Sequence, residues 1–214
     1  MDRLLFRASR VKKVFNRNAI FADINFSLSE GQSLVVTGKN GSGKTTLLKI
    51  LSGLLSATEG TVEFQINGKS VDLLDRFRFF GFVSPYLQLY DEFTAWEQLD
   101  LFRRIRGIHP TDDRLGQLLE RVDLASKKHE LVRTFSSGMK QRLKYACALI
   151  HEPSVLVLDE PTANLDVSGK SVVREFVREQ QQLGIVLFAT NEPDEVAWSN
   201  TAVNLDGQIS TGMK

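Results

Sequence analysis

Cysteine is almost missing: Cys147 is the only one in 214 residues. One thiol excludes an intramolecular disulfide framework and suits a reducing compartment. Its neighbours Tyr145, Ala146, Ala148, Leu149 and Ile150 are mostly apolar, so Cys147 reads as a small buried core residue. A surplus of one charge sign is also missing. The 27 Lys and Arg face 26 Asp and Glu, for a net charge of +1. That balance argues against general nucleic-acid backbone binding. No run approaches the ~20 apolar residues that span a bilayer. Met1 to Arg7 lacks the apolar stretch of a signal peptide. Any membrane role is therefore expected to pass through a partner. No internal repeat or low-complexity tract interrupts the chain, and its length suits one domain carrying a subdomain.

The first third reads as strands broken by turns. Residues 4–8, 24–28 and 61–66 are candidate strands, the last two with partial alternation. Asn67-Gly68 favours a tight hairpin. The apolar run 33–37 suits a buried strand delivering the chain to Gly38, and a helix is expected behind it with an end near Gly53. Residues 90–150 are helix-rich. Trp96, Leu99, Phe102 and Ile105 share one helical face, as do Leu115, Leu118, Leu119 and Val122. The continuous apolar runs 155–158 and 185–189 read as strands buried on both faces, with a helix over 168–182 between them. That makes a βαβ unit.

Three motifs carry chemistry. Gly38-Lys39-Asn40-Gly41-Ser42-Gly43-Lys44-Thr45 is a phosphate-cradling loop. Its glycines let backbone N–H groups curl inward, and the helix N-terminus behind adds partial positive charge. Lys44 suits the β and γ phosphates, and the Thr45 hydroxyl suits Mg²⁺. The pattern arises by chance in about one chain in a hundred of this length. The second motif is the apolar strand ending in Asp159-Glu160. Two acids at the end of a buried strand are costly unless used. Asp159 suits the Mg²⁺ shell, and Glu160 suits a general base on an attacking water. The third is Phe135-Ser136-Ser137-Gly138-Met139-Lys140-Gln141-Arg142, a helix N-cap and hence also an anion site.

In this order and spacing the chain resembles the nucleotide-binding domain of an ABC transporter, of the short exporter-like type. The P-loop, the signature segment from Ser136 to Gln141, the strand acids and Pro161-Thr162-Ala163-Asn164-Leu165-Asp166 carry the likeness, which covers nearly the whole chain. It implies an α/β fold: a P-loop NTPase core with a mostly parallel sheet, an N-terminal antiparallel β subdomain and an inserted α-helical subdomain. The implied layout is one domain over 1–214. The core lies in about 1–84 and 151–214, and the helical subdomain with the signature in about 85–150.

The resemblance also implies an ATPase acting as a head-to-tail homodimer on ATP and Mg²⁺. Phe15, rather than Phe21, would stack on adenine. Gly38, Lys39, Asn40, Gly41, Ser42, Gly43, Lys44, Thr45 and Thr46 would hold the phosphates. Ser136 and Gly138 would meet the γ-phosphate bound by the opposite subunit. Thr45, Asp159 and Gln88 would serve the metal, and Glu160, Lys44 and Asn191 the chemistry. The implied partner is a separate membrane permease, which would place the protein on the cytoplasmic face of the cell membrane. Tyr86, Leu87, Leu89 and Tyr90 are the expected permease contacts. No nucleic-acid partner is implied.

The chain departs from the family pattern in three places. The signature, usually Leu-Ser-Gly-Gly-Gln, here reads Phe135-Ser136-Ser137-Gly138-Met139. The glutamine expected nine residues before Thr94 is replaced by Pro85, leaving Gln88 in a shifted loop or no glutamine at all. The histidine usual after the strand 185–189 is Asn191. The three histidines, His109, His129 and His151, lie elsewhere and read as surface residues. An alternative function is a soluble regulatory nucleotide switch with little hydrolysis. The intact acid pair at Asp159-Glu160 argues against it.

Overall fold

The computed structural model describes residues 4–108 and 111–206. The first strands, β1 (Leu4–Phe15) and β2 (Asn18–Ser29), are joined by Asn16 and Arg17, both at positive φ (47° and 68°). Two central residues at positive φ match the twist of an antiparallel pair. After β3 (Ser33–Thr37), strands β4 (Glu59–Ile66) and β5 (Lys69–Ser70) are joined by Asn67 and Gly68 at φ 51° and 74°, the expected hairpin. The antiparallel sheet runs β2-β1-β4-β5.

β1 and β2 are each twelve residues long, well beyond the segments legible in the sequence. Register shifts between Ala8 and Val11 and between Val11 and Lys13 break the alternation, and Arg10 sits at φ 49°. Bulges hide such strands from a period-two reading.

The second sheet runs β6 (Phe80–Val83), β7 (Val155–Asp159), β8 (Ile185–Ala189), β3, β9 (Thr201–Asn204), with every pairing parallel. β7 and β8 are buried at every residue. Their side chains alternate between two cores. Val155 and Val157 join Phe6, Phe64, Leu47 and Leu48 on the antiparallel-sheet side. Leu156 and Leu158 join Leu99, Leu118, Leu143 and Tyr145 on the other. Burial pushes the Cys147 thiol up within that second core.

The helices are α1 (Lys44–Leu51), α2 (Ala95–Ile105), α3 (Asp112–Arg121), α4 (Ser137–Leu149), α5 (Val167–Leu183) and α6 (Pro193–Val196). Parallel pairing sets the C-terminal ends of β3, β6, β7 and β8 along one edge. Open parallel sheets bind ligands at that edge.

One surface assignment is corrected. His129 is exposed and His109 lies outside the described residues, but His151 is half-buried. It follows directly on α4, whose inward face fixes its place. Its Nε2 lies 3.0 Å from Arg106 Nη1 and 3.1 Å from the Phe80 carbonyl, while its buried Nδ1 has no partner.

Candidate nucleotide and metal site

Past Thr37 the chain turns sharply into α1. Gly38, Gly41 and Gly43 hold φ of 144°, 85° and 101°. At Gly43, which caps α1, a Cβ would lie 2.4 Å from Ile20 Cγ2, so both conformation and space require glycine. Lys44 folds its side chain back into the loop. Its Nζ donates to the carbonyls of Gly38 (2.8 Å) and Lys39 (3.4 Å). No carboxylate among the described residues pairs with it. The Ser42 hydroxyl is buried in the same loop without a hydrogen-bond partner. An orphaned hydroxyl, a backbone-held ammonium and amides at a helix N-terminus fit a run of phosphates. Thr46 is half-buried in the first turn of α1, while Lys39, Asn40 and Gly41 are exposed.

The acid pair lies at the end of β7. Asp159 is 1% exposed. Its Oδ1 and Oδ2 accept from Thr45 Oγ1 at 3.1 and 2.9 Å, and Oδ2 accepts from Ser84 Oγ at 3.4 Å. Burial raises the Asp159 carboxyl, while the two hydroxyls, Lys49 and Lys44 draw it back. No group of three or more His, Cys, Asp or Glu forms a metal cage among the described residues. One carboxylate and one hydroxyl beside a phosphate cradle instead suit Mg²⁺, which keeps water and phosphate oxygens as ligands. Glu160 turns out of the strand at φ 51°, with its N–H still donating to the Ala189 carbonyl at 2.9 Å. Burial raises its carboxyl, partly offset by Lys44.

From the end of β8, Asn191 Nδ2 donates to Asn40 Oδ1 at 2.8 Å. The loop, the acid pair and Asn191 thus converge on one sheet edge. Four anticipated residues, Gln88, Ser136, Gly138 and Phe15, form no hydrogen bond with these groups. Gln88 is exposed in a cleft with Leu87, Leu89, Asp91, Lys140 and Lys144, and no hydrogen bond joins it to Asp159. Ser136 caps α4, accepting from the Met139 N–H at 3.2 Å, and no hydrogen bond links it to the P-loop. Beside it, a Cβ on Gly138 would lie 3.4 Å from the Asn164 carbonyl. Phe15 is 44% exposed at the end of β1, with Lys13 Nζ 4.7 Å from its ring centre. Phe21 is fully buried against Gly43.

Sequence reading missed Ser84, Lys144 and Asp206. Asp206 Oδ1 accepts from the Lys39 N–H at 2.8 Å and braces the start of the loop. None of the three stands in a motif. A separate cleft of about 530 Å³ gathers Phe77, Arg78, Arg104, Arg106 and His151 where β6 begins, at the opposite strand end from Asp159.

Comparison with known proteins identifies the family and the fold. The ABC transporter family profile matches residues 21–163. The ABC transporter ATP-binding protein YxlF of Bacillus subtilis is 35% identical over 92% of this chain and 67% of its own length. The linearmycin resistance ATP-binding protein LnrL of the same organism is 31% identical, over 90% of this chain and 63% of its own length. This chain thus spans about two thirds of those relatives. A solved ATP-binding subunit of an ABC transporter superposes with a TM-score of 0.81 at 26% identity, covering 94% of this chain and 86% of that one. The chain belongs to the ABC transporter family, as its ATP-binding ATPase domain. No helix among the described residues is long and apolar enough to cross a membrane.

Proposed function

We propose that this domain hydrolyses Mg·ATP to drive a separate membrane permease, as one half of a head-to-tail pair. The observation that carries the reading is Lys44 Nζ, buried in a glycine loop and held only by carbonyls beside the Thr45–Asp159 contact. In this reading Lys44 turns from those carbonyls to the β and γ phosphate oxygens. Loop amides and Ser42 Oγ hold the remaining oxygens, and Phe15 stacks on the base. Thr45 and Asp159 would hold Mg²⁺, which supplies charge neutralisation at the β and γ oxygens when bound. Glu160 accepts a proton from the attacking water. Asn191 replaces a histidine with one neutral donor, shared in the structure with Asn40. Ser136 and Gly138 reach the γ-phosphate held by a second copy. The permease docks against Tyr86, which is 79% exposed, and Tyr90 nearby, from the cytoplasmic side.

Steady-state ATP hydrolysis by the purified chain tests this reading. Glu160→Gln should lower turnover by on the order of a hundredfold or more, within the range of general-base effects, while ATP binding persists. Asn191→His should raise turnover. Hydrolysis undiminished in Glu160→Gln would sink the assignment of the base. An unchanged or lower rate in Asn191→His would count against a weakened contact there.

A further inference from the structure

Lys144 lies two turns into α4, eight residues beyond the signature serine, yet it is only 8% exposed. A buried ammonium is costly unless its donors are satisfied and its place is used. Its Nζ donates to the Ser84 carbonyl (3.2 Å) and the Pro85 carbonyl (2.9 Å). No carboxylate pairs with it among the described residues; the nearby Asp91 pairs with Lys140 instead, at 2.7 Å. Both carbonyls belong to the turn leaving β6. Ser84 in that turn aims its hydroxyl at Asp159 Oδ2 and also accepts from the Tyr86 N–H at 3.3 Å. Pro85 stands where the family resemblance leads one to expect a glutamine.

We propose that Lys144 and Ser84 together take over the position of the missing glutamine. Lys144 is a positioning residue that clamps the 84–85 turn from the signature helix, and the clamp holds the Ser84 hydroxyl against the carboxylate that serves the metal. This rests on the reading of Thr45 and Asp159 as the Mg²⁺ side of the site. One observation shows that Lys144 acts through the turn: its hydrogen bonds go to backbone carbonyls alone. Proline suits such a turn: it fixes φ, needs no partner for an N–H, and leaves its carbonyl for the clamp. The clamp also ties the metal side to the helix that begins at Ser136.

The test is the Mg²⁺ concentration needed for half-maximal binding of a fluorescent ATP analogue, measured on the full chain, with ATP affinity in EDTA and thermal midpoint alongside. Lys144→Met keeps the stem and removes the donors. It should raise the Mg²⁺ requirement roughly tenfold, the usual scale for an outer-shell partner. EDTA affinity should stay within about twofold, and the midpoint should stay level or rise, since replacing a buried charge by an apolar group is often neutral or stabilising. Ser84→Ala should act in the same direction, and the double variant should be no worse than the more affected single variant. An unchanged Mg²⁺ requirement in Lys144→Met overturns the proposal. So does an equal loss of affinity in EDTA, which marks a merely structural role, or additive effects in the double variant. If Lys144→Met does not fold, Ser84→Ala decides alone. Asp159→Asn is the control: if it too leaves the Mg²⁺ requirement unchanged, the reading of the metal side fails rather than the clamp.

Discussion

His151 shows what one half-buried titratable side chain costs. Burial lowers its pKa from the ordinary 6.5 to about 4, and Arg106 adds to the effect. The folded state therefore holds the ring neutral where the unfolded chain takes up a proton. Stability contributed this way is complete above pH 6.5. It falls as pH drops towards 4, then levels off once both states are protonated. Between pH 7 and pH 5 the loss should be roughly 2 kcal/mol, because each tenfold difference in proton affinity between the two states is worth about 1.4 kcal/mol. Urea unfolding at the two pH values measures it, and His151→Gln should flatten that difference. An equally steep pH dependence in the variant would place the effect elsewhere. Legibility at this scale followed motif density. Lys44, Thr45, Asp159 and Glu160 stood out because each sits in a short pattern with a chemical reason. Ser84, Lys144 and Asp206 did not, since the hydrogen bonds that tie them to the site join residues 59 to 167 positions apart. His151 misled because no motif marks it and its position is set by the buried helix before it.

Among the elements, α2 begins with a reciprocal cap. Thr94 Oγ1 accepts from the Glu97 N–H at 3.2 Å, and Glu97 Oε2 accepts from the Thr94 N–H at 2.8 Å. The cap fixes the helix that places Ala95 and Leu99 in the core beneath α4. Thr94 also bridges to Leu131, just ahead of the signature helix. Thr94→Ala should cost about 1 kcal/mol, the usual effect of a lost N-cap, seen as a lower urea midpoint with unchanged slope. A variant as stable as the parent would mean that packing alone holds this helix end. The sequence showed helices α1 to α5 and the parallel strands β3, β7 and β8 well, because these present clear apolar patterns; it did not mark β6, β9 or α6, which are only four residues long each. It showed the antiparallel strands only in part, because bulges near Arg10 and Lys13 put consecutive residues out of step.

For the whole molecule, what matters is that the cap of α4 and the cradle of the same chain are not joined by a hydrogen bond. Ser136 is exposed at the N-terminus of α4, and no hydrogen bond ties it to the P-loop of its own chain. The signature backbone is packed close to the 164–166 segment, with Gly138 leaving no more than ordinary contact room beside the Asn164 carbonyl. Val167, the first residue of α5, is 87% exposed beside that segment. The proposed pairing of two copies would cover this helix end and Val167 together. Glu160→Gln with Mg·ATP should therefore shift from one chain to a particle of twice the 24.1 kDa mass in light scattering. ADP should not produce the shift, since the γ-phosphate is the group the partner's cap would hold. Adding Ser136→Arg should abolish the dimer by placing a bulky side chain in the seam, while ATP affinity of the single chain stays within about twofold, because Ser136 lies outside its own cradle. A dimer that persists with Ser136→Arg would place the seam on another face. Loss of ATP binding by the isolated variant would mean that Ser136 serves the nucleotide of its own subunit.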